Sequence, residues 1–297
     1  MPAPFCLAPD PSPSKPSVAL PPGTIDCHCH VFEDPARYPL IDNRSYTPNG
    51  GTIDEYVAMC EALGIERTVQ VNASVYGNDN SITADVIAKL GQHRARGVAG
   101  LAADATQAHI ERLHEAGFRG ARLSTRVKGY GGLERLESMA ARVKPFGWHL
   151  QLHFGSGTEI AEHANHLGAI DAPIVFDHFA RVGAAEGPDS PSARALIRQL
   201  VERDDRWVKF SSFSKLSVDG PPAFADMAPL ARAIVAARPD RVVWGTNWPH
   251  PHMFAPARVP NDGMLFDAFA GWLPDAGVRQ RVLVDNPAQL YGFPARA

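Results

Sequence analysis

His28 and His30 stand two residues apart in the run Asp26-Cys27-His28-Cys29-His30. On a β-strand, residues at that spacing share one face, so both imidazoles can donate, accept or ligate together. Cys27 and Cys29 are then expected to turn back toward the packing side. A bare His-x-His is a weak signal, since two histidines at a strand edge produce it by chance. Its weight comes from later stretches where polar groups follow an apolar run: Asn72-Ala73-Ser74-Val75-Tyr76, Arg122-Leu123-Ser124, His153, Asp177-His178-Phe179, Ser211-Ser212-Phe213-Ser214-Lys215 and Gly245-Thr246-Asn247-Trp248-Pro249-His250. Imidazole, amide, hydroxyl and cationic groups of this kind polarise a carbonyl, stabilise the oxyanion formed from it and hold a carboxylate.

The elements that must position these groups alternate along the chain. Apolar runs with strand character span Thr24 to His30, Arg67 to Asn72, Gly97 to Ala102, Phe118 to Leu123, Trp148 to Phe154, Pro173 to His178, Trp207 to Ser212 and Arg241 to Thr246. Helical stretches lie between them, at Thr52 to Leu63, Asn80 to Gly91, Thr106 to Ala116, Leu133 to Phe146, Thr158 to Leu167, Ser190 to Glu202 and Phe224 to Ala237, with further helices after Trp272. Thr52-Ile53-Asp54-Glu55 reads as a capping box, and Gly64 as the stop of the same helix. Eight strands in βα alternation predict a parallel sheet with right-handed crossovers, closed into a single (β/α)8 TIM barrel. A doubly wound open sheet is the other architecture of this kind, but no GxGxxG follows the first strand. Catalytic groups in such barrels come from the C-terminal ends of the strands, where the polar stretches fall. Residues 1–23, rich in proline and without periodicity, read as an extended N-terminal arm, and residues 24–297 as the barrel domain. The long aperiodic stretch from Val31 to Gly51 reads as a loop, with Tyr46 a candidate lid residue.

Composition narrows the function. The 297 residues carry 29 Lys and Arg against 32 Asp and Glu, unclustered, which argues against nucleic acid as a partner. No apolar run approaches a membrane span, and the N-terminus lacks the order of a secretory signal, so a cytoplasmic protein is expected. The four cysteines, Cys6, Cys27, Cys29 and Cys60, are expected as reduced thiols.

Several words of the chain match one family in order: Ile25-Asp26-Cys27-His28-Cys29-His30-Val31-Phe32, Gly77-Asn78-Asp79-Asn80, Arg119-Gly120-Ala121-Arg122, Gly147-Trp148-His149, Asp177-His178 and Trp244-Gly245-Thr246-Asn247-Trp248-Pro249-His250-Pro251. From about Pro21 to Tyr291 the chain resembles the amidohydrolase superfamily, in the branch of the 2-pyrone-4,6-dicarboxylate lactonases. That resemblance implies a distorted barrel that opens or closes the ring of a small anionic lactone, in a branch whose best-known lactonases work without a metal. It also implies His28, His30, His178 and the residue at 247 as the catalytic set.

Two departures from the pattern matter. Lactonases of the branch place an aspartate after the last strand to take a proton from the attacking water, and here Asn247 stands there. An amide does not accept that proton near neutral pH, although its oxygen still hydrogen-bonds. Three explanations stand open: another base such as His153 or His178; a change of reaction, as in the galactarolactone isomerases that resemble this chain around Asn247; or a deliberate Asp to Asn substitution made to trap substrate. The second departure is His153, where the branch has tyrosine. His28, His30 and His153 form a set suited to Zn²⁺ with one open position. Superfamily metal sites, however, commonly use the carboxylate missing at 247. The favoured reading is no metal, with His153 as a hydrogen-bond donor to substrate.

Arg122, Lys128, Arg181 and Lys215 are the candidate clamps for the substrate's negative charge, and Arg126 ranks below Lys128 because the resemblance puts the cation nearer 128. Relatives acting on the dicarboxylated pyrone tend to carry arginine where this chain has Lys128 and Lys215, and lysine lacks the planar fork. Ser74, Tyr76 and Asn80 are candidate hydrogen-bonders, with Tyr46 above them and His250 orienting Asn247 or its loop. The expected function is hydrolysis of a small carboxylated lactone, with isomerisation and ligand binding alone as the alternatives.

Overall fold

The computed structural model describes residues 3–256 and 259–294. Strands β1 (Ile25–Cys29), β2 (Arg67–Val71), β3 (Ala95–Ala99), β4 (Phe118–Ser124), β5 (His149–His153), β6 (Ile174–Phe176), β7 (Arg206–Phe210) and β8 (Val242–Trp244) pair in parallel in chain order. Between them run α1 (Ile53–Leu63), α2 (Ser81–Leu90), α3 (Gln107–Glu115), α4 (Leu136–Val143), α5 (Glu159–Glu162), α6 (Ala164–Ala169), α7 (Pro191–Glu202) and α8 (Ala228–Ala237). After β8 come α9 (Asp262–Trp272), α10 (Ala276–Gln280) and α11 (Asn286–Tyr291). This is the (β/α)8 barrel expected from the alternation. The capping box of α1 forms as read: Thr52 Oγ1 accepts from Glu55 N, Glu55 accepts from Thr52 N, and Gly64 ends the helix in the left-handed region.

Boundaries differ where side chains override local pattern. β3 begins two residues before the expected start and ends at Ala99, because Gly97 pairs within the sheet instead of opening it. The helix expected over Thr158 to Leu167 breaks at His163 into α5 and α6.

Seven junctions of the barrel are laddered, and the eighth, between β8 and β1, is made just past the strand ends. There His30 N donates to Trp248 O at 2.8 Å and Asn247 N to His28 O at 2.7 Å. Gly245 permits this approach, since a Cβ would lie 2.7 Å from His28 N. The buried Asp26 carboxylate ties the same seam, accepting from Thr246 N at 2.9 Å, Thr246 Oγ1 at 2.6 Å, Tyr56 OH at 2.9 Å and His28 N at 3.0 Å. Burial pushes its carboxyl up to about 6, against the pull of those donors.

Inside the barrel, Ile25, Cys27, Val69, Val71, Val98, Val175, Trp207 and Val243 fill the lower half, and Tyr291 and Phe293 plug the base. The expectation that Cys27 faces the helices is therefore corrected. A bulge in β1, where Asp26 pairs Thr68 but Cys29 pairs Gln70, puts an extra residue into the strand. Cys27 and His28 both reach the interior, and only Cys29 turns outward, with Sγ 3.0 Å from Thr68 Oγ1.

Near the N-terminus the chain hydrogen-bonds to loops of the barrel and to the start and body of α9. Cys6 N donates to Thr47 O and Leu7 N to Met253 O, both at 2.8 Å, while Ser14 and Ser17 bond Asn261 and Asp267 beside α9. Among the described residues no helix is long and apolar enough to cross a membrane.

Candidate active site

A cavity of about 240 Å³ opens at the C-terminal end of the strands. His30, His153, His178, Asn247, Tyr46, Ser74, Arg122, Arg181 and Lys215 line it, brought together from the ends of seven strands and, for Tyr46, from the loop after β1. His28 lies one layer deeper, fully buried, its ring 5.0 Å from that of His30 and 4.6 Å from that of His178. His153 meets His178 edge-on at 5.1 Å.

Each imidazole is held by a neighbour. His30 Nδ1 is 2.8 Å from Val71 O, His178 Nδ1 is 2.7 Å from Ser211 Oγ, and His153 Nδ1 is 3.4 Å from Ser124 Oγ. Burial drives all of them toward the neutral form: His28 falls to about 3, and His30, His153 and His178 fall well below the usual imidazole range. At neutral pH the cavity thus presents uncharged imidazoles, each able to donate from one nitrogen and accept at the other.

Below them sits a buried charge centre. Arg122 Nε and Nη2 each approach Asp177 Oδ2 at 2.9 Å, Gln151 Nε2 donates to the same oxygen at 3.0 Å, and Lys209 Nζ lies 3.4 Å from Oδ1. Burial raises the Asp177 carboxyl, but Arg122, Lys209 and His28 outweigh it and hold the group well below the usual range. Burial lowers the Lys209 ammonium, with Asp177 opposing.

Besides the deeper His28, four residues singled out from sequence do not line the cavity. Lys128 is exposed: Ser124 Oγ accepts from the backbone of Arg126 and Val127, and that turn carries these two onto the cavity wall and leaves Lys128 in solvent. Arg126, ranked lower, takes its place. Tyr76 is buried in a 3-10 turn with its ring 6.1 Å from Phe32. Asn80 spends its amide on Asn78 O, Gly100 O and Gly100 N, tying the loops after β2 and β3. His250 is 3.1 Å from Asp262 Oδ1 and anchors the loop after β8 to α9.

Further groups stand at the site beyond the candidate residues singled out from sequence. Asp177 was visible beside His178, and Lys209 stood as a charged residue in the middle of an apolar strand, a signal of an interior partner. Ser212 and His252 line the wall, and the His252 ring lies 4.7 Å from that of Tyr46.

The backbone is strained around this mouth. His178, Phe179, Ala180 and Arg181 are four consecutive residues with φ between 52° and 64°, a left-handed turn that costs side-chain-bearing residues roughly 1 kcal/mol each. It sets His178 and Arg181 three apart, both on the cavity wall. Ser212 and Asn247 are also left-handed. Asn247 Nδ2 is 3.4 Å from Ser212 Oγ, so one strained residue steadies the other.

This barrel, with its His-x-His on β1 and Asp-His after β6, matches the amidohydrolase family model over residues 25–293. The chain belongs to the amidohydrolase family. It is 35% identical to a 2-pyrone-4,6-dicarboxylate hydrolase of Comamonas testosteroni, over 94% of this chain and 93% of that one. It is 32% identical to a D-galactarolactone isomerase of Agrobacterium fabrum, over 94% of each. A solved apo structure from Agrobacterium tumefaciens superposes with a TM-score of 0.88 at 30% identity, covering 97% of this chain and all of the other. Family membership raises the question of a metal, and the set that converges is not the one read from sequence. Among the described residues it is His28, Asp177 and His178 whose ligand atoms lie within 4.8 Å of one another. Asp177, however, already faces Arg122 and Lys209, and the Lys209 ammonium is 3.2 Å from His28 Nδ1, so a divalent cation does not fit without expelling it.

Proposed function

We propose that the protein opens the ring of a small lactone carrying a carboxylate or similar anionic group, without a resident metal. One observation carries this reading. Arg126, Arg181 and Lys215 line the cavity together with neutral imidazoles, and among the described residues none of the three has a carboxylate within salt-bridge distance. Arg126 is exposed and Arg181 and Lys215 are half-buried, and three cations gathered without a carboxylate call for an anion from outside. Burial pushes Lys215 down to about 7, reinforced by Arg181 and Arg126, and a bound carboxylate would relieve that repulsion. His28, His30, His178 and Arg122 are the groups proposed to act at the ring carbonyl, with Tyr46, Ser74 and His153 closing around the ring.

Asn247 gives a second reading its support. With an amide where hydrolytic relatives of this branch carry the base, attack by a hydroxyl of the substrate itself, as ring migration requires, needs no activated water. The deciding experiment incubates the protein with dicarboxylated pyrones and aldaric-acid lactones and follows the products by NMR. Ring-opened acid is the expected outcome, and a migrated ring would replace hydrolysis with isomerisation. Tight binding with neither product would make the barrel a binder and end both readings.

A further inference from the structure

We infer that Lys209 is a positioning residue that fixes His28 with its proton on Nε2, so that the two histidines of β1 offer the reaction one donor and one acceptor. Gln151 orders this cluster. Its Nε2 donates to Asp177 Oδ2 at 3.0 Å, which turns Oε1 toward Lys209 Nζ at 2.8 Å. Lys209 therefore donates there, and it has hydrogens to spare for the next acceptor, His28 Nδ1 at 3.2 Å. Asp177 Oδ1 is equally close to that nitrogen, 3.2 Å, but among the described residues it completes no hydrogen bond, and it also faces Lys209 Nζ at 3.4 Å. An Nδ1 that accepts from lysine leaves the proton of a neutral imidazole on Nε2. That atom is buried and, among the described residues, also without a partner. His30 is set the opposite way: Val71 O only accepts, so Nδ1 carries the proton and Nε2 presents a lone pair.

The catalytic consequence rests on the ring-opening reading above. An attacking hydroxyl, from water or from the substrate, forms a bond to the lactone carbonyl carbon as His30 Nε2 takes its proton. The carbonyl electron pair moves onto the oxygen as it seats between the rings of His30 and His178, where His28 Nε2–H, one layer below the cavity, is the donor proposed to hold it. On collapse the ring C–O bond breaks, and His30 returns the proton to the leaving ring oxygen. Asn247 need not be a base in this scheme, which serves hydrolysis and ring migration alike.

Long-range ¹H–¹⁵N correlation on the protein labelled with ¹⁵N-histidine reads each tautomer directly. The expected wild-type spectrum has His28 protonated at Nε2 and His30 at Nδ1. In Lys209→Met, His28 is expected to shift its proton to Nδ1 while His30 stays unchanged, and kcat should fall about 100-fold or more, as for a lost oxyanion donor, with KM nearly constant. A wild-type His28 protonated at Nδ1, or at both nitrogens, overturns the proposal even if Lys209→Met does not fold. A folded Lys209→Met that keeps the Nε2 proton or wild-type kcat overturns it too. The expected tautomers in a protein that transforms no lactone would leave the assignment standing and defeat the functional reading instead.

Discussion

Asn247 is held on three sides: its backbone N donates to His28 O, its backbone O accepts from His250 N, and its amide meets Ser212. Its left-handed φ of 63° suits Asn and Asp alike, so Asn247→Asp should fold unchanged. If proton removal from water limits hydrolysis, that carboxylate should speed ring opening by about 100-fold. Steady-state assay of the two proteins on one lactone checks it, and equal rates would show that Asn247 does not limit the wild-type reaction. Lys215 gives a test on pH. In the free protein its ammonium loses charge as pH rises through about 7, so KM for an anionic lactone should climb between pH 6 and 8. Lys215→Met should raise KM about 10-fold at pH 6 and flatten that climb, since a charge-assisted hydrogen bond is worth about 1.5 kcal/mol or more. At this scale the sequence was informative wherever a residue sits at a strand end, as His30, His178 and Asn247 do. It misled where a turn decides the direction, because no periodicity tells Arg126 from Lys128 once Ser124 has capped the loop. Lys209 was overlooked for another reason: its meaning lies in Gln151 and Asp177, which come from two other strands.

At the level of elements, the seam between β1 and β8 depends on one carboxylate. Thr246 gives Asp26 both its amide and its hydroxyl, and that hydroxyl also accepts from Trp248 N at 3.0 Å. Thr246→Val keeps the shape and removes the hydroxyl from a buried acceptor. The expected loss is about 2 kcal/mol in a denaturant titration, with a larger fraction of activity lost than of folded protein, since His28, His30 and Asn247 flank the joint. The order of strands and the caps of α1 were legible because apolar runs and turn residues are local signals. The bulge in β1 was not, for an alternation rule assumes each residue flips to the opposite face. Asp26 and Tyr56 reveal the slip only once α1 lies against the strand.

For the molecule as a whole, the buried imidazoles set a direction for stability against pH. An unfolded histidine takes up a proton as pH falls through 6.5, whereas His28 and His149 in the fold resist until about 3. The unfolded state therefore binds more protons in that window, so stability is present above 6.5 and is lost on acidification, by about 1.4 kcal/mol per pH unit for each such group. His30, His153 and His178 add the same sign. Asp26 opposes it between 3.8 and about 6, because there the folded form holds the extra proton. Calorimetry should find the melting temperature lower at pH 5 than at pH 7 by about 10 °C. The closing joint of the barrel has a consequence of its own. Seven neighbouring strand pairs are zipped along their length, whereas this one is tacked by a few bonds, so it is where the wall would breathe first. A ligand touching His30 on one side and Asn247 on the other would act as a rivet across the gap, slowing deuterium uptake at exactly those two amides while the rest of the wall exchanges as before.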